Sequence, residues 1–555
     1  LEREHKRAFL HFGLLGVLYA LLTARFWWVC DDAFISFRYA RNWASGYGLR
    51  YNLGDTLPVE GYSNFLWVAL CALFEWLRAD VTFWAPLVSL ACGMFLLYRV
   101  YSVLRKRFAM RAEITALAIA SLALSPPFAL WSTGGLETMA FAWVLFETFE
   151  RLILRRERPA VLSAGLFGLA LALLRVEGIA WSVFIGLLAL WTHRSKLRHC
   201  RKAFFSYFGI VIAGFALYFA WRSGYYQRPM ANTYYAKTAL SVELLIRGLK
   251  YVILFLLTFI TPLAFIPGWV VARRGSERDA AFAMLALILA NLAFAVVVGG
   301  DFMAMGRLLV PGLVVFNAFF FAWLVEKGWN LSARVRTMAV GITLIVLLGG
   351  LLPAWDLHLV PEPVRSAFHF RYDAPRFRSE LEQWAFMRHN ARTWKAIGLA
   401  LQQYARPGDT LVEGAIGNIG YYSGLYIYDR FGLVTPKVTR FQASEDETRS
   451  PGHDSMVPAV FFLEDRPTFL HVDRVSGPQA AKAMLEEASK LRESPLAEDY
   501  VPDFFLMPAL PDHAGPSYLF VYRAIPENTN PEQAWEDFEA RLASLLEASP
   551  LESPP

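Results

Sequence analysis

Two adjacent carboxylates, Asp31 and Asp32, stand directly after an apolar run from Phe9 to Val29. Further ionisable groups sit at the edges of later apolar runs: Glu137 in WSTGGLET, Arg175 and Glu177 in LRVEG, Lys237 in YYQRPMANTYYAK, Asp301 and Arg307 in GGDFMAMGR. Charges at the ends of membrane spans are costly to keep, which makes them functional-site candidates. Together they have the parts of a group transfer from a phosphate: a carboxylate to take the proton of an acceptor hydroxyl, and cations to hold the departing phosphate. Asp31 or Asp32 is the candidate base. Arg307, Arg175 and Lys237 are the candidate phosphate ligands, the guanidinium groups binding bidentately. Glu60, Asn64, Glu137, Glu177, Asn232 and Asp301 are candidates for positioning the acceptor or the sugar. The competing reading, an ordinary solvated loop residue, is the better one for Asp55, Arg222 and Arg228.

Composition fixes the setting of these groups. Of 555 residues, 56% are hydrophobic and 18% charged, more apolar surface than a soluble core needs, so the chain is expected to be a polytopic α-helical membrane protein. The net charge of +6 is read as loops facing anionic lipid, with no nucleic-acid partner. Cys30, Cys71, Cys92 and Cys200 form no CxxC pair, and no metal-ligand spacing is present, so no metal site is expected. No small-residue cleavage site precedes Asp31, and the first run reads as a retained anchor.

Eleven apolar segments are long enough to span or nearly span: 9–29, 82–104, 112–126, 137–153, 160–174, 177–192, 203–221, 250–272, 279–298, 307–326 and 337–354. The segment 61–77 is assigned to the surface as a juxtamembrane helix. Every strongly basic connection, such as Arg105 to Arg111 or Arg194 to Lys202, then falls on the cytoplasmic side. All the unusual polar clusters fall on the opposite side. Within the first outer loop, a helix from Asp31 to Ser45 places Asp31, Ile35, Arg38 and Asn42 on one face and Ala33, Phe37, Ala40 and Ala44 on the other.

Residues 1–354 are thus read as a transmembrane module, with an outer loop at 30–80, and residues 355–555 as an extracytoplasmic α/β domain. Strands are expected at 410–413, 426–428, 468–472 and 518–522, and helices at 394–404, 478–492 and 531–547. Gly414, Gly417 and Gly420 are spaced GxxGxxG, which lacks the dinucleotide-binding fingerprint and is better explained by close helix packing.

The carboxylate pair in the first outer loop, a juxtamembrane helix, about eleven spans and a C-terminal outer domain together resemble the GT-C superfamily of polyprenyl-phosphate-sugar-dependent glycosyltransferases. More narrowly, DDAFISFRYARNWASGYGLRYNLGDTLPVEGYSNFLW, STGGLET, LRVEG, ANTYYAK, GGDFMAMGRLLVP and GNIGYYSGLYIYDRFGL are similar to bacterial arabinofuranosyltransferase-like members. The resemblance implies a bacterial inner-membrane enzyme acting on the extracytoplasmic face. Its donor would be a polyprenyl-phosphate sugar, arabinofuranose on the narrower likeness, and its acceptor an envelope glycan, lipid or protein. The first-loop aspartate, Asp31 or Asp32, is implied as catalytic. No cofactor is required for a monophosphate donor, whereas a pyrophosphate donor would call for a divalent cation. The alternative is a transporter or flippase of a lipid-linked precursor, which would hold its charges near the bilayer midplane.

The topology is open to direct test. Cysteines placed at Ser132, Thr233 and Ser423 should react with an impermeant thiol reagent from outside, and one at Ser195 should not. Reaction at Ser195 with protection at Ser132 would turn 61–77 into a span.

Overall fold

The computed structural model describes residues 2–155, 160–235, 241–275, 277–330, 332–372, 374, 376–440, 456–477, 479–507 and 516–548. All eleven apolar segments fall on helices. Five helical stretches meet the length and apolarity of a membrane crossing: Val81–Lys106, Arg201–Tyr226, Arg278–Val297, Ala304–Trp329 and Arg336–Trp355. A sixth arises if Val242–Thr258 and Thr261–Ala272, bent by 91°, form one broken span. The segments at 112–126, 160–174 and 177–192 give helices of 12, 14 and 15 residues, short of the roughly 20 that a bilayer core needs. The segment at 137–153 becomes the helix Thr138–Phe149 running into a π-helical turn, Glu150–Leu154. It carries two buried carboxylates, Glu147 and Glu150, which ion-pair with Arg99, Arg151 and Arg155 and are thereby neutralised.

The juxtamembrane segment forms the helix Phe65–Trp76, packed against the helix Asp31–Ala44. Trp67 lies on the covered side of the juxtamembrane helix. It is fully buried and its indole N–H donates to Gly135 O at 3.0 Å.

The C-terminal part is a five-stranded sheet with helices. The strands are β1 (Thr410–Glu413), β2 (Tyr426–Asp429), β3 (Phe469–Ser476), β4 (Tyr500–Leu506) and β5 (Ser517–Ala524), in the order β2-β1-β3-β5-β4. β1 runs parallel to β2 and β3, while β5 runs antiparallel to β3 and β4. Four of the five strands coincide with the expected ones. The fifth, β4, carries Pro502 and lies at the sheet edge, the position where a strand tolerates a residue without an N–H. The helix expected at 394–404 begins earlier, at Glu380, behind a reciprocal cap between Ser379 and Glu382.

A helix-on-helix contact joins the sheet region to the helical part. The helix Ile416–Ser423 lies along the Asp31–Ala44 helix, and the face expected to form a polar seam is the one it covers. Arg38 donates to Gly420 O at 2.9 Å, to Leu425 O at 2.6 Å and to Tyr51 O at 2.9 Å. Arg41 donates to Tyr421 O at 2.8 Å. The glycine spacing serves this approach, because a Cβ on Gly417 would collide with the Asp31 carbonyl and one on Gly420 with the Tyr51 hydroxyl. Gly420→Ala is therefore expected to lower stability by about 1–3 kcal/mol by overpacking this contact. A fall in melting temperature in detergent, with faster proteolysis at 424–440, is the measurement.

Candidate functional site

Three of the sequence motifs meet at the end of the helical part that carries the sheet region. The WSTGGLET stretch is the hub. Gly134 O accepts from Cys30 N at 3.1 Å, just before the Asp31–Ala44 helix, and Trp131 Nε1 donates to Ala304 O at 3.1 Å in the GGDFMAMGR stretch. Its Ser132 is fully buried, hydrogen-bonded to Tyr19 at 2.5 Å, so a cysteine there would be shielded and only Thr233 and Ser423 remain useful outer probes.

Around this hub the predicted side chains interlock. Arg175 donates to Glu137 Oε1 at 2.7 Å and to Glu177 Oε1 at 2.5 Å. The second Glu137 oxygen accepts from Asn64 Nδ2 at 2.8 Å, and Asn64 is held in turn by Ser36 at 3.2 Å. Arg307 donates through Nε to Asp301 Oδ2 at 2.8 Å, and its guanidinium lies 5.5 Å from the centre of the Trp131 ring. Among the described residues neither Nη group of Arg307 makes a hydrogen bond, so the edge of the fork that suits a phosphate stays open. The charges of Asp301, Asp32 and Glu137 act on Arg307, and that of Arg307 acts on Arg175. Arg175, Glu177 and Arg307 form the polar wall of a cleft whose other wall is Phe141, Trp181 and Phe294. A mostly apolar lining with a few charged groups is the make-up of a ligand or headgroup site.

The adjacent aspartates part company. Asp31 accepts from Gly417 N at 3.1 Å, from Asn418 N at 2.7 Å and from Asn418 Nδ2 at 2.8 Å. It closes the N-terminus of the Ile416–Ser423 helix, where an anion is favoured by the orphan amides and the helix dipole. Burial raises its carboxyl above the ordinary range, against the pull of the Asn418 and Gly417 bonds. Asp32, one residue on and about 100° around the helix, acts instead on Arg307.

Glu60 and Asn232 make their bonds elsewhere. Glu60 is buried and ion-paired with Arg222, which the sequence reading had left as solvated. Burial raises the Glu60 carboxyl, and Arg222 opposes the rise. Asn232 donates to the Gly432 and Leu433 carbonyls at 2.5 and 3.2 Å and accepts from Arg228 at 3.0 Å, tying its loop to the sheet region. Asp55 likewise accepts from Tyr426 at 2.8 Å. Lys237 lies outside the described residues.

Sequence reasoning missed Arg371 and Glu380. Arg371 pairs with Glu380 at 2.9 and 3.1 Å and donates to Phe302 O at 2.9 Å and Met303 O at 3.2 Å, while Glu380 accepts from Met305 N. The clamp holds Met305 and Gly306 in left-handed conformations, φ 58° and 61°, directly before Arg307. A non-glycine residue held there is a strain that the surroundings must impose. The signal in the sequence was the Ser379–Glu382 capping pair, which places Glu380 in a first helical turn. Among the described residues no group of three or more His, Cys, Asp or Glu side chains is arranged to hold a metal ion.

Residues 382–539 match a family described as a domain of unknown function, DUF8728. No curated protein matches the chain. Two solved structures are similar to it. One is ArnT from Cupriavidus metallidurans bound to undecaprenyl phosphate, at 13% identity and a TM-score of 0.48, covering 92% of this chain and 97% of that one. The other is the same protein in its apo state, at 14% identity and a TM-score of 0.48, with the same coverage.

The division between the two aspartates can be measured. Asp31→Asn sets a donor against the Gly417 N–H and is expected to cost about 1–2 kcal/mol of stability, whereas Asp32→Asn leaves these bonds in place. Because the folded-state carboxyl of Asp31 is raised, it favours folding below the ordinary carboxylate range, and this contribution fades as pH rises through the raised value. Asp31→Asn should therefore flatten part of the gain in melting temperature on acidification.

Proposed function

We propose that this protein is a GT-C-type membrane glycosyltransferase. It moves a sugar from a polyprenyl-phosphate donor to a hydroxyl of a cell-envelope glycan, lipid or protein on the extracytoplasmic face of a bacterial inner membrane. The sugar is arabinofuranose on the likeness of the first-loop sequence. The observation that supports this reading is that Arg175 and Arg307 line one cleft with an apolar wall, with Asp32 near enough for its charge to act on Arg307.

The chemistry follows from that arrangement. The polyprenyl chain lies along the apolar wall and the phosphate meets the open fork of Arg307, with Arg175 supplying a second positive charge. Asp32 takes the proton of the acceptor hydroxyl as its oxygen bonds to the anomeric carbon. The bond from that carbon to the phosphate oxygen breaks, and the negative charge gained by the leaving phosphate is stabilised by the guanidinium groups. Glu137, Glu177, Asn64 and Asp301 orient the two arginines. Asp31 fixes the helix on which Asp32 stands. Residues 1–354 form the catalytic module in this reading, and the sheet region holds two of its loops in place.

Radiolabel transfer from defined polyprenyl-phosphate sugars by purified protein tests the proposal. Asp32→Asn should lower turnover by at least ~100-fold with donor binding nearly unaltered. Arg307→Lys keeps the charge and loses the fork, and should weaken donor binding by roughly 1–3 kcal/mol. Unchanged turnover in Asp32→Asn would remove the base, and unchanged affinity in Arg307→Lys would reduce Arg307 to an anchor for Asp301.

A further inference from the structure

A hydroxyl beside the two arginines has no task in the fold. Thr138 lines the same cleft and is 2% exposed, and among the described residues its Oγ1 is buried with no hydrogen-bond partner. Thr115 and Thr148 satisfy theirs by back-bonding to Arg111 O and Val144 O, both at 2.8 Å, and the helical Thr23 and Thr258, whose hydroxyls are also unpaired among the described residues, do not line this cleft. A buried hydroxyl left unpaired costs roughly 1–3 kcal/mol, a cost that vanishes when a ligand supplies the acceptor.

The backbone around Thr138 points to the same kind of ligand. Thr138 is the first residue of a 12-residue helix whose N-cap, Glu137, makes no side-chain cap. The Glu137 carboxylate is turned away to Asn64 and Arg175 instead. The positive end of the helix dipole is thus left at the cleft without the anion that usually closes it. Burying a hydroxyl donor, an uncapped helix start and two guanidinium groups in one place suits an anion with several acceptor oxygens.

We infer that Thr138 is a phosphate-binding residue: its Oγ1–H donates to an oxygen of the phosphate whose other oxygens meet Arg307 and Arg175. The inference rests on the proposed donor reading for the source of that phosphate, a lipid headgroup. Free inorganic phosphate shares the chemistry and serves as the second arm of the test.

Thermal-shift titrations of purified protein in detergent compare wild type, Thr138→Ser and Thr138→Val with polyprenyl monophosphate, neutral polyprenol and inorganic phosphate. Thr138→Ser keeps the hydroxyl and should bind polyprenyl monophosphate within about twofold of wild type, whereas Thr138→Val should bind about tenfold more weakly. Polyprenol should bind all three alike. Inorganic phosphate should discriminate Thr from Val in the same direction. Should Thr138→Val fail to give a cooperative melt, Thr138→Ala makes the same deletion without adding a methyl group. If wild type prefers polyprenyl monophosphate to polyprenol and the valine or alanine variant does so equally, the assignment of Thr138 is overturned while the donor reading stands. If wild type itself shows no preference for either phosphate, both fall.

Discussion

Everything at the candidate site depends on how the Asp31–Ala44 helix is gripped by the Ile416–Ser423 helix. The grip is electrostatic and directional. Asp31 meets the amides that begin the second helix, and Arg38 and Arg41 meet the carbonyls that end it. Each charge faces the pole of the macrodipole that attracts it, and each fills backbone positions that would otherwise be left unpaired in a buried contact. Small residues let the charges reach: with a side chain at Gly417 or Gly420 the two backbones would stand too far apart for these bonds. The helix that carries Asp32 therefore has its rotation fixed by a segment nearly four hundred positions away in sequence.

A second clamp fixes the other half of the site. Arg371 and Glu380 form a buried pair that spends its remaining donors and acceptor on the backbone of Phe302, Met303 and Met305. Removing either partner would leave an uncompensated buried charge, costing about 3–5 kcal/mol. The loop it holds cannot relax from its left-handed turn, and Arg307 leaves that turn already pointed at Asp301 and the cleft. Asp32 and Arg307, the proposed base and phosphate ligand, come from opposite ends of the sequence of the helical part. Both are positioned by residues after 370, which explains why the chain carries this folded segment beside its spans.

The sequence made the chemistry more legible than its support. Charges at the ends of apolar runs stand out one at a time, and Arg175, Glu177, Glu137, Asp301 and Arg307 do gather. Four strands of the sheet were readable from alternation and turn residues, while β4 was hidden by Pro502. What a linear reading does not give is the partner of each charge. Asp31 and Asp32 look equivalent until the glycine-spaced helix is seen to take one of them. Arg222 and Glu60 look like separate surface groups until the fold closes them into a pair. Arg371 was overlooked because it lies far from any apolar run, although it does as much to aim Arg307 as Asp301 does.

The pairing of the two arginines also sets their division of labour. Arg175 commits Nε and Nη1 to Glu177 and Glu137, so its charge is largely compensated and its fork is occupied. Arg307 commits only Nε, and the Trp131 ring beside its guanidinium excludes water without competing for its donors. A phosphate entering the cleft thus finds strong hydrogen-bond donors at Arg307 and mainly a long-range field at Arg175.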